Sequence, residues 1–233
     1  MAARSYGQYG GVAAAVELVG ERWALLIVRD LLVGPRRYTD LKAGLPRIPT
    51  NILSARLKEL QDGGVVRRVP ILRCGLVYEL TDYGRELEPI VLALGRWGLR
   101  TLGEPGADDV FTPDSLTVAL RAAFRPGAAR PPLDVELRLH EIALRVQVAG
   151  AALQIAQLAP PAPPVGGALP TGEPGLTIAA GSGIRHVLTG TKDAAAALED
   201  SDIVVVSGDA ALLDPFVQTF RIGSGTDEER RIA

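Results

Sequence analysis

Apolar residues recur at helical spacing over the first hundred positions and at strand spacing past position 130, and that switch of period divides the chain. Val12 to Val19 is an Ala/Val-rich helical run closed by Gly20, while Trp23, Leu26, Ile27 and Leu31 share one face of a second helix that Gly34-Pro35 ends; both read as core helices. Arg36 to Lys42 is a third, very short helix, broken by Gly44-Leu45-Pro46. A fourth helix then opens at Pro49 and stops at Gly63-Gly64. On it Leu53, Leu57 and Leu60 form an apolar stripe, with Asn51, Ser54, Ala55, Lys58 and Asp62 on the opposite side. Two short helices joined by a tight turn form a helix-turn-helix, in which the second helix enters the major groove. An outer face of Asn, Ser, Lys and a small Ala can approach base edges more closely than the long Glu and Lys side chains of a merely solvated face. Taken alone, the same helix reads first as an ordinary amphipathic core helix, because such helices are common, so the flanks must decide.

Beyond Gly64, Val65–Val69 and Leu76–Leu80 are β-rich runs joined by a six-residue tip at 70–75, the pattern of a hairpin wing. Thr81 then caps a longer helix whose Leu87, Ile90, Val91, Leu94, Trp97 and Gly98 keep an apolar seam through Gly103, with a kink expected at Pro89. A winged helix of this size has little surface left to cover such a seam. Homodimerisation through Leu87, Val91, Leu94 and Trp97, with Val12–Val19 packing across, is one reading; packing of the seam on the second half of the chain is the other.

Residues 104–111 form a polar, Pro/Gly-containing linker. Pro113 to Phe124 reads as a helix with Thr112 as its N-cap, after which the period becomes two. Leu133, Val135, Leu137 and Leu139 share one strand face, Ile142, Leu144, Val146 and Val148 the next, and Leu153 and Ile155 a third, which predicts an antiparallel meander turning at Gly150. A Pro/Gly-rich connector, 159–175, precedes a short strand at 176–179; its composition also admits a polyproline-type ligand segment. Short helices at 183–189 and 194–198, a strand at 202–206 and a helix within 209–220 complete the pattern, with either Asp214 capping a helix from Pro215 or a turn at 209–213 leading into it. The fold class expected is therefore α+β: an N-terminal winged helix-turn-helix domain (1–103), a linker (104–111) and a C-terminal α+β domain (112–233) with an antiparallel sheet and covering helices.

Composition changes this picture mainly through the distribution of charge. The formal net charge is −2, yet residues 1–103 carry +5 and residues 104–233 carry −7. Within 35–73 the excess is +6, the asymmetry expected where phosphates are neutralised. Asn51, Ser54, Ala55 and Lys58 are then the base-reading candidates, while Thr50, Arg36, Arg37, Arg47, Arg68 and Arg73 are the phosphate-holding ones. Arg56, at the edge of the leucine stripe, suits a stem packed on the core with its head paired to a carboxylate or a nearby phosphate. The chain has one cysteine and two histidines, which excludes an internal disulfide and a cysteine-cluster metal site. His140 and His186 have no Ser, Cys or second carboxylate placed to make a nucleophile-base set, and Gly181-Ser182-Gly183 lacks the Lys-Thr of a phosphate loop, so neither enzymatic activity nor a cofactor is expected. No apolar run reaches the roughly 18–20 residues of a membrane span and the first residues lack a continuous apolar block, so a cytoplasmic protein is expected.

Four blocks in order, Val19-Gly20-Glu21-Arg22-Trp23, Gly34 to Leu41, Ile52 to Leu60 and Tyr78 to Gly84, give residues 9–102 a resemblance to HxlR-type winged helix-turn-helix transcriptional regulators. The resemblance implies a dimer that binds double-stranded DNA and assigns base reading to the fourth helix. Many members carry a redox-sensing cysteine ahead of the first helix; here that stretch is Gln8-Tyr9-Gly10-Gly11, and Cys74 on the wing has no resolving partner. The order of elements after the linker, with Val204 to Leu213 near its end, resembles a sterol-carrier-protein-type lipid-binding domain. That likeness implies a site for an apolar small molecule, with Phe111, Phe124, Phe216 and Phe220 as candidate lining residues; a purely structural or dimerising role for this domain is the alternative.

Overall fold

Apolar periodicity becomes structure first at α2 (Ala24–Val33), which buries Ala24, Ile27, Val28, Leu31 and Leu32 and forms the centre of the N-terminal unit. In the computed structural model, residues 5–71, 75–158 and 170–223 are described. In chain order the elements of this part are α1 (Gly11–Val19), α2, α3 (Tyr38–Gly44), α4 (Thr50–Asp62), the strands β1 (Val66–Ile71) and β2 (Gly75–Leu80), α5 (Asp82–Arg85) and α6 (Glu88–Leu99), with α3, α4 and β2 packed against α2. Leu53, Leu57 and Leu60 of α4 are each no more than 1% exposed, so the predicted stripe is the buried one. Each such leucine contributes about 1.5–3 kcal/mol by leaving water.

The wing is a two-stranded antiparallel hairpin with Arg67 opposite Glu79 and Arg68 opposite Tyr78. Its strands run on to pair Ile71 with Gly75, so the ladder extends further than the predicted strand ends at Val69 and Leu76. A third segment joins it: Arg36 and Tyr78 exchange backbone hydrogen bonds of 2.9 and 2.8 Å, tying the turn before α3 to β2. Thr81 Oγ1 accepts from Gly84 N–H at 3.0 Å and caps α5 as expected. Gly84 is obligatory for packing, because a Cβ there would lie 2.1 Å from the carbonyl oxygen of Val65.

Two expectations fail in this unit, each for a local reason. α1 is not a core helix: none of its residues is buried, and Val12 and Val16 are 81% and 40% exposed. The long helix expected to kink at Pro89 is instead two helices, and Pro89 is the second residue of α6, where a missing N–H costs no helical bond. The chain divides into two compact units between Val91 and Leu92, inside α6 and ahead of the stretch read as a linker.

The second unit adds α7 (Pro113–Ala123), β3 (Leu133–Leu139), β4 (Ile142–Ala149), β5 (Ala152–Gln157), β6 (Leu176–Ala180), α8 (Ile184–Thr189), α9 (Ala194–Glu199), β7 (Ile203–Gly208) and α10 (Leu213–Thr219). Thr112 caps α7 by accepting from Ser115 N–H at 3.1 Å, and Ser115 Oγ accepts from Thr112 N–H at 3.2 Å in return. Asp209 caps a short 3-10 turn leading into α10, which resolves the Pro215 alternatives in favour of a turn followed by the helix.

The five strands form one sheet in the order β5-β4-β3-β6-β7. It is mixed rather than antiparallel, which corrects the expectation: β6 runs parallel to β3, with Val135 opposite Leu176, and the other pairs are antiparallel. The apolar residues of β3 and β4 do share one face, and with Leu116, Leu120, Leu188, Phe216 and Phe220 they form a continuous core. On the other face the Arg145 guanidinium donates to both oxygens of Asp134 and to the carbonyl of Gly172. A parallel neighbour requires the chain to cross the sheet between β5 and β6, and the Gly172 contact lies at the end of that crossing. Residues 159–169 of the connector lie outside the described residues.

Candidate nucleic-acid interface

The outward face of α4 carries the residues that the period assigns to it. Thr50, Asn51, Ser54, Lys58 and Asp62 are exposed and Ala55 is half-buried, while the leucines opposite are sealed in the core. Lys58 Nζ lies 2.7 Å from Asp62 Oδ2, one turn on, with both side chains well exposed. Such a pair is worth a few tenths of a kcal/mol, so Lys58 can exchange it for a phosphate or a base at little cost. Asp62 thus tempers the positive charge of this face when the protein is free.

Arg56 takes the role expected of it. Its side chain is 15% exposed and pairs with Glu59 on its own helix and with Glu21, 3.7 Å away, ahead of α2. The guanidinium therefore ties α4 to the segment before α2 and is not turned to the reading face.

The phosphate-holding candidates divide by burial. Arg37, just ahead of α3, and Arg47, in the turn between α3 and α4, are exposed, and Arg68 is exposed on β1 with its guanidinium 5.8 Å from the ring centre of its cross-strand partner Tyr78. A guanidinium within about 6 Å of an aromatic centroid is attracted to the ring face. Arg36 does not belong with them: it is 3% exposed and donates to the carbonyl of Pro35 at 3.1 Å. Its place in the bridge to Tyr78 explains why, since the backbone that stitches α3 to the wing carries the side chain inward. Arg73 and Cys74 lie outside the described residues.

Tyr38 was not among the sequence candidates. Its hydroxyl lies 2.9 Å from the carbonyl oxygen of Thr50 and 3.1 Å from Ser54 Oγ, and Ser54 Oγ itself donates back to Thr50 O at 3.1 Å. The first residue of α3 thereby holds the first turn of α4. No spacing in the sequence announces this contact, because it depends on the angle of the turn between the helices. Lys42 reinforces that turn by donating to the carbonyl of Pro46 at 3.1 Å.

The proposed dimerisation residues differ among themselves. Val91 is 7% exposed and Leu87 is half-buried, whereas Ile90, Leu94 and Trp97 are 51%, 45% and 70% exposed. In the second unit, the last turns of α6 pack on α7, with Leu99 against the core and Arg96 donating to the carbonyl of Ala122 at 3.4 Å. The seam is thus shared out: part of it meets α7, and Leu94 and Trp97 remain outside that contact.

The four phenylalanines are also not brought together. Phe216 and Phe220 are fully buried with ring centres 5.0 Å apart, and Phe124 joins Phe220 at 5.9 Å. Phe111, 36% exposed, instead lies against His140 at 5.7 Å on the β3–β4 turn. His186 is held by Asp202, at 2.8 Å from Nδ1, and by Arg185, at 2.9 Å from Nε2. A guanidinium can only donate, so Nε2 accepts and Nδ1 carries the proton towards Asp202. Lys192 also reaches Asp202, at 2.6 Å; burial raises the pKa of that carboxyl, but Lys192 and His186 outweigh it and hold it below the ordinary range.

A family model described as HxlR-like helix-turn-helix matches residues 18–105. The chain is 41% identical over 85 residues to the uncharacterized HTH-type transcriptional regulator YvaP of Bacillus subtilis, a match covering 36% of this chain and 79% of that protein. It is 42% identical over 96 residues to the uncharacterized HTH-type transcriptional regulator Rv3095 of Mycobacterium tuberculosis, covering 40% of this chain and 60% of the relative. Among solved structures, the redox regulator HypR in its oxidized form is 28% identical, with a TM-score of 0.38, over 41% of this chain and 100% of that one.

Proposed function

This chain belongs to the HxlR-like helix-turn-helix family of transcriptional regulators through residues 18–105, and from that membership we propose that it is a homodimeric, sequence-specific DNA-binding regulator located in the cytoplasm. Asn51, Ser54, Ala55 and Lys58 read bases, and Thr50, Arg37, Arg47 and Arg68 hold phosphates, with Arg73 on the wing tip as a further phosphate contact. The observation that carries this reading is the division of α4 into a sealed leucine stripe and an exposed small-polar face within a segment of net charge +6. Val12, Val16, Ile90, Leu94 and Trp97 are the apolar side chains that a second copy would cover. The test is a titration of operator binding against salt. If six to ten phosphates are neutralised per dimer, affinity falls roughly 10³- to 10⁵-fold between 50 and 200 mM; a flat response excludes the assignment.

For the second unit, the reading favoured by the packing of Phe124, Phe216 and Phe220 on one another is structural: a sterol-carrier-like domain whose aromatic residues fill its own core and whose α7 supports α6. The alternative is a sensor for an apolar small molecule, in which those rings line a space. A thermal-shift series with C12–C18 fatty acids and sterols separates them. Stabilisation that grows with ligand concentration supports the sensor, and unchanged melting supports the structural role.

A further inference from the structure

The cluster formed by Tyr38, Ser54 and the Thr50 carbonyl bears on which bases α4 can accept. Its three oxygens lie mutually within 2.9–3.1 Å, and they share two hydroxyl protons. Whichever hydroxyl donates to the carbonyl, the other proton has a partner inside the triangle. Turning either proton outward breaks a bond that the free protein already makes. Towards solvent the pair therefore presents lone pairs and no donor, from a residue, Ser54, that is exposed on the reading face.

A surface that only accepts is selective in a major groove. Guanine N7 and O6, thymine O4 and phosphate oxygens are acceptors and find nothing to bond there, whereas the N6 amino group of adenine and the N4 amino group of cytosine are donors. Lys58, with donors only, and Asn51, with both, carry the complementary chemistry on the same face. We propose that the Ser54–Tyr38 hydroxyl pair is a specificity determinant that selects an adenine or cytosine amino group at one position of each half-site. This rests on α4 being the DNA-reading helix.

The experiment uses the full-length protein. Duplexes bound by wild type, Ser54→Ala and Tyr38→Phe are selected from a random library, and affinities are then measured on the selected operator. In a second operator, the amino group at the assigned position is removed by placing purine for adenine or 2-pyrimidinone for cytosine. Wild type is expected to lose about five- to tenfold in affinity on the deaminated operator, the scale of one base-edge hydrogen bond. Ser54→Ala is expected to bind both operators equally and to lose base preference at that position alone. Tyr38→Phe, in which Ser54 Oγ still donates to the Thr50 carbonyl, is expected to keep the preference for an amino group at that position and to lose affinity through the one acceptor removed. An equal loss in wild type and Ser54→Ala on removing the amino group overturns the proposal, as does an unchanged preference at every position in Ser54→Ala. If wild type enriches no sequence, it is the DNA-reading assignment itself that falls, a result distinct from either of these.

Discussion

Lys58 and Arg68 are both exposed cations in different surroundings, and the proposed function gives them different work. Lys58 stands on the reading face in a weak pair with Asp62, so Lys58→Ala is expected to weaken specific binding and relax base preference. Arg68 lies on the wing over Tyr78, so Arg68→Ala should weaken all sequences alike and lower the salt slope by about one. Equal losses on operator and random duplex for both variants would overturn this division. Gly84 makes a prediction about stability. The Cβ of Gly84→Ala meets the Val65 carbonyl, a backbone atom that cannot move aside cheaply, and a loss of about 1–3 kcal/mol in urea unfolding is expected. Asp134 sets an acid limit. Its bond from Arg145 holds its carboxyl below the usual range, so the stability it supplies is complete above the unfolded-state value near 3.9 and disappears as pH falls through the lower folded one. Unfolding midpoints measured between pH 6 and 2 should fall over that window, and less steeply in Asp134→Asn.

At the scale of elements, what was legible in the sequence and what was not follow from the range of the forces. Helices α2 and α4, the wing, and the strands β3 and β4 were readable because each carries its own period and its own punctuation, such as Gly34-Pro35 or the Thr112 cap. The α5–α6 break was missed because Pro89 reads as a kink if the helix is assumed to continue, and as an ordinary first-turn residue once it has stopped at Arg85. The direction of β6 was missed because its apolar pattern is the same whichever way the strand runs. At the site, the exposed face of α4 was legible residue by residue, but the burial of Arg36 and the grip of Tyr38 on Thr50 depend on contacts between elements that no local pattern encodes. The exposed face of α6 belongs to the same scale. Leu94→Glu or Trp97→Glu should convert a dimer to a folded monomer in sedimentation velocity while leaving circular dichroism unchanged, because neither side chain belongs to a buried core. A variant that remains dimeric would move the interface elsewhere.

For the whole molecule, charge and chain order are the remaining levers. The basic excess lies in the segment that carries the helix-turn-helix and wing, while the rest of the chain is acidic, so attraction to DNA is local and salt-sensitive even though the net charge is −2. The position of β3 between β4 and β6 has a consequence of another kind, in time. Its partner β4 follows it through a tight hairpin, but its partner β6 is roughly forty residues further on, and closing that distance spends chain entropy before any contact repays it. The β3–β4–β5 ribbon can therefore assemble on its own, whereas β6 and β7 must wait for the longer loop between Gln157 and Leu176 to close. Pulse-labelled amide exchange during refolding should find the amides of Val146 and Val148 protected before those of Ile178 and Val205. During synthesis the same order leaves one edge of β3 open until Leu176–Ala180 has emerged, and that edge is where a stalled or truncated chain would be most prone to pair with another.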